Sequence, residues 1–257
     1  MGPGHMHLDV VDLQKFYYRT HLGALAQRNL QSALRELWPR VNGLSMAGYG
    51  FAAPFMRPFH REAARMIVMM PAAQGVAQWP REGPNVAALV EPHDWPLQTG
   101  FLDRLVLAHG LETADHPSRL LDECWRALAP EGRLLILAPN RSGLWARRDG
   151  TPFGFGRPYS FDQIDAQLTE HGFGIERHRA ALYFPPSHKR FWLRAGSMIE
   201  RFGRRIDAQR LAGVLIVEAV KRVAAPRSGL KERATAPLEA LGGIIRPTPA
   251  PAPSRRG

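Results

Sequence analysis

The chain has 257 residues, enough for one large core or two small ones, and its 34 Lys and Arg against 23 Asp and Glu give a formal charge of +11. A single cysteine, Cys124, excludes an intrachain disulfide and a thiolate-based structural zinc site, and no metal is expected. No apolar run approaches the roughly 18–20 residues of a membrane-spanning helix, and no charged-then-apolar leader is visible, so a cytoplasmic protein is expected. The positive charge favours anionic partners. The basic residues are scattered pairs such as Arg147 with Arg148 and Lys221 with Arg222, without the interleaved aromatic rings of a base-stacking surface, so nucleic acid is disfavoured.

Residues 1–5, ahead of a second methionine at Met6, read as an expression scar. An N-terminal helical segment, residues 6–40, follows. Phe16, Leu22, Leu25, Leu30, Leu34 and Leu37 recur at helical spacing, Gly23 is expected to divide the run into two helices, and Pro39 closes it. From Val41 to about residue 225 short apolar runs alternate with amphipathic segments, the pattern of an α/β domain with a mostly parallel sheet and helices on both faces. The predicted strands are Gly43 to Ala47, Met66 to Met70, Val86 to Val90, Leu102 to Ala108, Arg133 to Ala138, Ala180 to Phe184 and Gly213 to Ala219, several of them apolar throughout, as a strand covered on both faces must be. A helix is predicted over Pro117 to Leu128, with Leu120, Leu121, Cys124, Trp125 and Leu128 on one face. Another begins at Ser160, which has capping-box spacing to Gln163, and stops at His171 and Gly172. Residues 226–257, rich in Pro, Ala and Arg, are expected to be a disordered tail.

The first strand runs into Ala47-Gly48-Tyr49-Gly50-Phe51-Ala52, with Ala53, Pro54 and Phe55 opening a helix. Strand, small-residue turn and helix together let a ligand approach the backbone near free amides, although a tight turn needs the same glycines with no ligand at all. Downstream, Glu91-Pro92-His93-Asp94-Trp95-Pro96-Leu97 is followed by Phe101-Leu102-Asp103 before the fourth strand, and by Arg126-Ala127-Leu128-Ala129-Pro130-Glu131-Gly132 before the fifth. This ordered set resembles the class I, type 11 S-adenosylmethionine-dependent methyltransferases, well over Val41 to Asn140 and loosely beyond. The resemblance implies a Rossmann-like seven-stranded sheet and S-adenosyl-L-methionine as cofactor. It places Gly48, Tyr49, Gly50 and Ala52 at the methionine and ribose portion, Glu91 at the adenine amino group, Pro92 and His93 alongside the adenine, and His109 near the methyl group.

Two positions depart from the family. The acid expected in the first strand is Met46, and the acid that ends the second strand beside the ribose is Met70. Each lost charge-assisted bond could cost about 1.5–3 kcal/mol of affinity. Gln74 either replaces one of these bonds or is a solvated helix residue. His109 is the candidate catalytic base, with Glu112 to orient it, but a His after a strand also serves to satisfy local backbone. Trp145, Phe153, Arg157 and Tyr159, in and before the turn-rich segment 151–160, are the candidate acceptor-binding residues; an ordinary connection is the alternative. The Asn/Asp-Pro-Pro-aromatic signature of nucleic-acid amino methylation is absent, since His109-Gly110-Leu111-Glu112 stands in its place. The expectation is methyl transfer to a small-molecule or lipid-like acceptor, the alternative being a methyltransferase-like binding or regulatory protein without turnover.

Overall fold

The computed structural model describes residues 8–223, apart from Asp149 and residues 206–208. The expression scar and the disordered tail lie outside the described residues. Helix α1 (Val10–Arg19) and helix α2 (His21–Leu37) open the fold. The break between them falls at Thr20, not at Gly23: the Thr20 hydroxyl donates to the Phe16 carbonyl at 2.7 Å and accepts from Gly23 N–H at 2.9 Å, closing one helix and capping the next. Gly23 serves close packing instead, since a Cβ there would lie 2.0 Å from the Phe16 oxygen.

Seven strands follow: β1 (Ser45–Gly50), β2 (Arg65–Pro71), β3 (Ala87–Val90), β4 (Leu102–Ala108), β5 (Leu128–Pro139), β6 (Phe173–Ala181) and β7 (Val214–Lys221). Their order is β3-β2-β1-β4-β5-β7-β6, parallel except for β7, which runs antiparallel to both neighbours. Strand β1 begins two residues later than the sequence suggests and includes Gly48-Tyr49-Gly50, so the glycine segment is the hydrogen-bonded end of a strand and not a loop beyond it. Strand β6 lies earlier than expected. Ala180 to Phe184 overlaps only its last two residues, because Leu182, at φ +63°, turns the chain out of the sheet.

Alternate strand residues feed two apolar layers. Val106, Leu135, Leu137, Val214 and Ile216 pack under α1 and α2, whereas Leu105, Leu107, Leu134, Ile136, Leu215 and Val217 pack under α4 (Pro117–Ala127) and α5 (Phe161–Glu170). The expected capping box is present: Ser160 Oγ accepts from Gln163 N–H and Gln163 Oε1 accepts from Ser160 N–H. A four-residue helix α3 (Ala53–Met56) follows β1, and a helix that the sequence reading did not foresee, α6 (Arg190–Arg205), joins β6 to β7. The N-terminal layer is tied to the sheet by polar bonds as well. Trp38 Nε1 donates to Glu218 at 2.7 Å, and Arg177, itself bonded to Glu218, donates to the Leu37 carbonyl at 2.7 Å.

Candidate functional site

In open parallel sheets the ligand crevice lies outside the carboxyl ends of the strands, where the strand order reverses; here that is the junction of β1 and β4. The two strands come very close at this point. Gly50, at φ +78°, lets Phe51 N–H reach the Ala108 carbonyl at 2.7 Å, and a Cβ on Gly50 would lie 2.2 Å from that same oxygen. Tyr49 points to the other face, buried and stacked on Trp95 at 5.0 Å, and burial pushes its phenol well above the ordinary range. A side chain at Gly110 would collide with the Tyr49 ring.

Beside Tyr49 opens a cavity of about 430 Å³, lined by Pro71 to Gln74 after β2, Glu91 to His93 after β3 and Gly110 to His116 after β4. Glu91 and His93 are exposed on its lining. Gln74 is buried, and its Oε1 has no hydrogen-bond partner among the described residues. A buried amide oxygen without a donor is rare and costs about 1–3 kcal/mol, so it marks a place where a ligand hydroxyl or amine fits. The residues present therefore suit an adenosine group: a carboxylate for its amino nitrogen and an amide oxygen for a ribose hydroxyl.

Just past the end of β4 stands a buried chain of polar groups. His109, at φ +53°, has its Nδ1 3.1 Å from Glu112 Oε1 and its Nε2 2.6 Å from the Tyr17 hydroxyl. A carboxylate accepts, so Nδ1–H donates to Glu112, and Nε2 shares a hydrogen bond with the Tyr17 hydroxyl. Burial, reinforced by the Glu112 charge, holds the Tyr17 phenol far above its usual range and keeps it a donor. The Phe153 ring lies 4.8 Å from His109, and Phe51 and Phe55 flank Tyr17 at 6.0 and 5.4 Å. Glu112 Oε2 is buried without a partner among the described residues.

Of the residues singled out in the sequence, Tyr49, Glu91, Pro92 and His93 meet at the 430 Å³ cavity, joined by Gln74. Gly48, Gly50 and Ala52 are buried behind it and do not border it. Met70 borders a different cavity of about 610 Å³, together with Tyr18, Phe51, Arg57, Arg81 and Trp79. Trp145, Phe153 and Tyr159 are buried, with Trp145 Nε1 donating to the Phe184 carbonyl at 2.7 Å, whereas Arg157 is exposed. Other residues of the same loop, Thr151, Pro152 and Phe155, line a third cavity of about 330 Å³ with Lys15 and Phe16 of α1; Thr151 Oγ1 there is buried and unpartnered. Tyr17 escaped the sequence reading. Its one signal was a polar tip on the apolar stripe of α1, and a buried phenol needs a partner. Among the described residues no group of three or more His, Cys, Asp or Glu could hold a metal ion.

Residues 47–136 match the family described as Methyltransferase domain. The fold is similar to that of a Thermotoga maritima protein described as an S-adenosylmethionine-dependent methyltransferase and possible histamine N-methyltransferase (TM-score 0.59, 15% identity, 83% of this chain and 96% of that one). It is also similar to a Haloferax volcanii putative methyltransferase in complex with the activator Trm112 (TM-score 0.56, 14% identity, 85% and 100%). The cyclase SpnF shares it too (TM-score 0.52, 19% identity, 77% and 81%). No curated protein sequence matches the chain. Likeness at these identities is a likeness of fold, and one fold hosts several chemistries.

Proposed function

We propose that this chain, whose residues 47–136 match the family described as Methyltransferase domain, is a class I methyltransferase that binds S-adenosylmethionine and transfers its methyl group to a small-molecule or lipid-like acceptor. The observation that carries the reading is the cavity at the ends of β1 to β4, lined together by Tyr49, the exposed Glu91 and Gln74, whose Oε1 has no hydrogen-bond partner among the described residues. Glu91 accepts from the adenine amino group, and Gln74 accepts from a ribose hydroxyl where the family's second-strand acid has become Met70. When bound, the sulfonium would supply an electrophilic methyl group to an acceptor attacking in line, with the thioether of S-adenosylhomocysteine as leaving group. The chain's own task is then alignment and, for an oxygen or nitrogen acceptor, removal of a proton. His109, oriented by Glu112, has the chemistry for that once Tyr17 turns its hydroxyl away from Nε2. The acceptor side is assigned to the segment from Trp145 to Tyr159, with Phe153 against His109 and Thr151 on the cavity beside α1.

Calorimetry with S-adenosylhomocysteine tests the donor site. The wild-type chain is expected to bind, and Glu91→Ala to weaken binding about tenfold, the equivalent of 1.4 kcal/mol; no heat with millimolar ligand would overturn the reading. A second reading, a binding protein without turnover, is favoured by one observation: both ring nitrogens of His109 are engaged, Nδ1 by Glu112 and Nε2 by Tyr17. Mass-spectrometric detection of a methylated product from candidate acceptors would rule it out.

A further inference from the structure

Antiparallel neighbours such as β6 and β7 can be joined by a two-residue turn, yet residues 182–213 separate them and contain α6. The inward side of this helix is fixed in place. Glu200, its one acidic residue, is buried and accepts from the backbone N–H groups of Leu182 at 3.0 Å and Tyr183 at 2.9 Å. Gly196 faces Leu25 and Phe184, and Gly203 faces the Tyr183 ring, at distances that leave no room for a side chain.

With the inner side settled, the outer side is settled too. Phe191, Met198 and Phe202 are 70%, 62% and 64% exposed, and at helical spacing the three fall within about 40° of one another, opposite Glu200. Exposed Arg190, Arg194 and Arg201 form a row roughly 60–100° to one side of this stripe, and His188 and Lys189 precede it. Leu211, 64% exposed, follows the helix. Large apolar side chains at this exposure on adjacent turns are a surface that something covers.

We infer that α6 lies on an anionic lipid surface, with Phe191, Met198 and Phe202 entering the acyl boundary and Arg190, Arg194 and Arg201 meeting the headgroup phosphates. Charge complementarity selects this occupant: the exposed side carries only apolar and cationic groups, and the chain as a whole is +11. At 16 residues, and with no described helix long and apolar enough to cross a membrane, α6 lies in the interface and does not span it. The inference is independent of methyl transfer, and its test needs no substrate.

The test is co-sedimentation of the full chain with vesicles of phosphatidylglycerol and phosphatidylcholine in equal parts, against phosphatidylcholine alone. Binding is expected only to the anionic vesicles and to weaken with salt. A double variant, Phe191→Ser with Phe202→Ser, leaves the charge unchanged and is expected to bind at least about tenfold more weakly, with unchanged circular dichroism. Undiminished binding of that variant would mean adsorption by charge alone and would overturn the proposal. So would a stable dimer abolished by the same substitutions without vesicle binding, which would give the face to a second copy.

Discussion

At His109 both ring nitrogens are engaged, one by Glu112 and one by Tyr17, and all three side chains are almost fully removed from water. Tyr17→Phe keeps the ring packing but leaves Nε2 buried without its partner, so a loss of about 1–2 kcal/mol is expected in urea unfolding. Glu218 is another buried carboxylate with structural weight. Burial by itself would raise its pKa, but hydrogen bonds from Arg177, Trp38 and Arg133 outweigh that and hold the carboxyl below the usual range. A pKa depressed on folding gives stability that is present above the unfolded-state value and is lost as pH falls through the folded one. Glu218→Gln should therefore cost about 2 kcal/mol at pH 7, the two arginines being partly exposed, and should flatten the decline in stability below about pH 4. Urea titrations from pH 7 to pH 3 check both. Met46 has a physical reason as well: its side chain belongs to the apolar layer beneath the N-terminal helices, where an unpaired carboxylate would be strongly destabilising.

Between elements, the junction of α1 and α2 makes a prediction whose sign opposes propensity. Alanine at a helical glycine ordinarily gains about 1 kcal/mol. At Gly23 the added Cβ would strike the Phe16 carbonyl, so Gly23→Ala is expected to destabilise by about 2 kcal/mol, measured as a lower urea midpoint at unchanged m-value. The same junction carries function in the proposed reading. Thr20 links the two helices, and α1 carries Tyr17 to His109 and bonds through Val10 N–H to the Gln74 carbonyl at 3.0 Å. A helix that contacts both the His109 chain and the segment lining the adenosine cavity is the element that must shift for Nε2 to become free.

For the molecule as a whole, the sheet order puts the reversed β7 between β5 and β6, so that one edge of the sheet is antiparallel. Bound S-adenosylhomocysteine at 100 times its dissociation constant should raise unfolding free energy by about 2.7 kcal/mol, a shift that thermal unfolding with and without ligand detects and that Glu91→Ala should reduce. The apolar character of the strands, their spacing and the turn signals made six of the seven strands legible to within a few residues, because a strand buried on both faces must be apolar along its length. Strand β6 was misplaced since Phe173–Ala181 carries Glu176, Arg177, His178 and Arg179, a polar run that pairs within the sheet against β7.

By itself the sequence determined the parallel α/β architecture, helix α4, the Ser160 cap and the ordered motifs that lead to Glu91, because each of these rests on local periodicity or on contacts within a few residues. Only the tertiary structure decided that Tyr17 reaches across 92 residues to His109, that Gln74 is buried with an oxygen unpartnered among the described residues, that Met46 and Met70 join the apolar core, and that one side of α6 is left uncovered. The physical reason is common to all four. Whether a polar atom is satisfied or an apolar face is covered depends on which distant element packs against it, and no spacing along the chain encodes that.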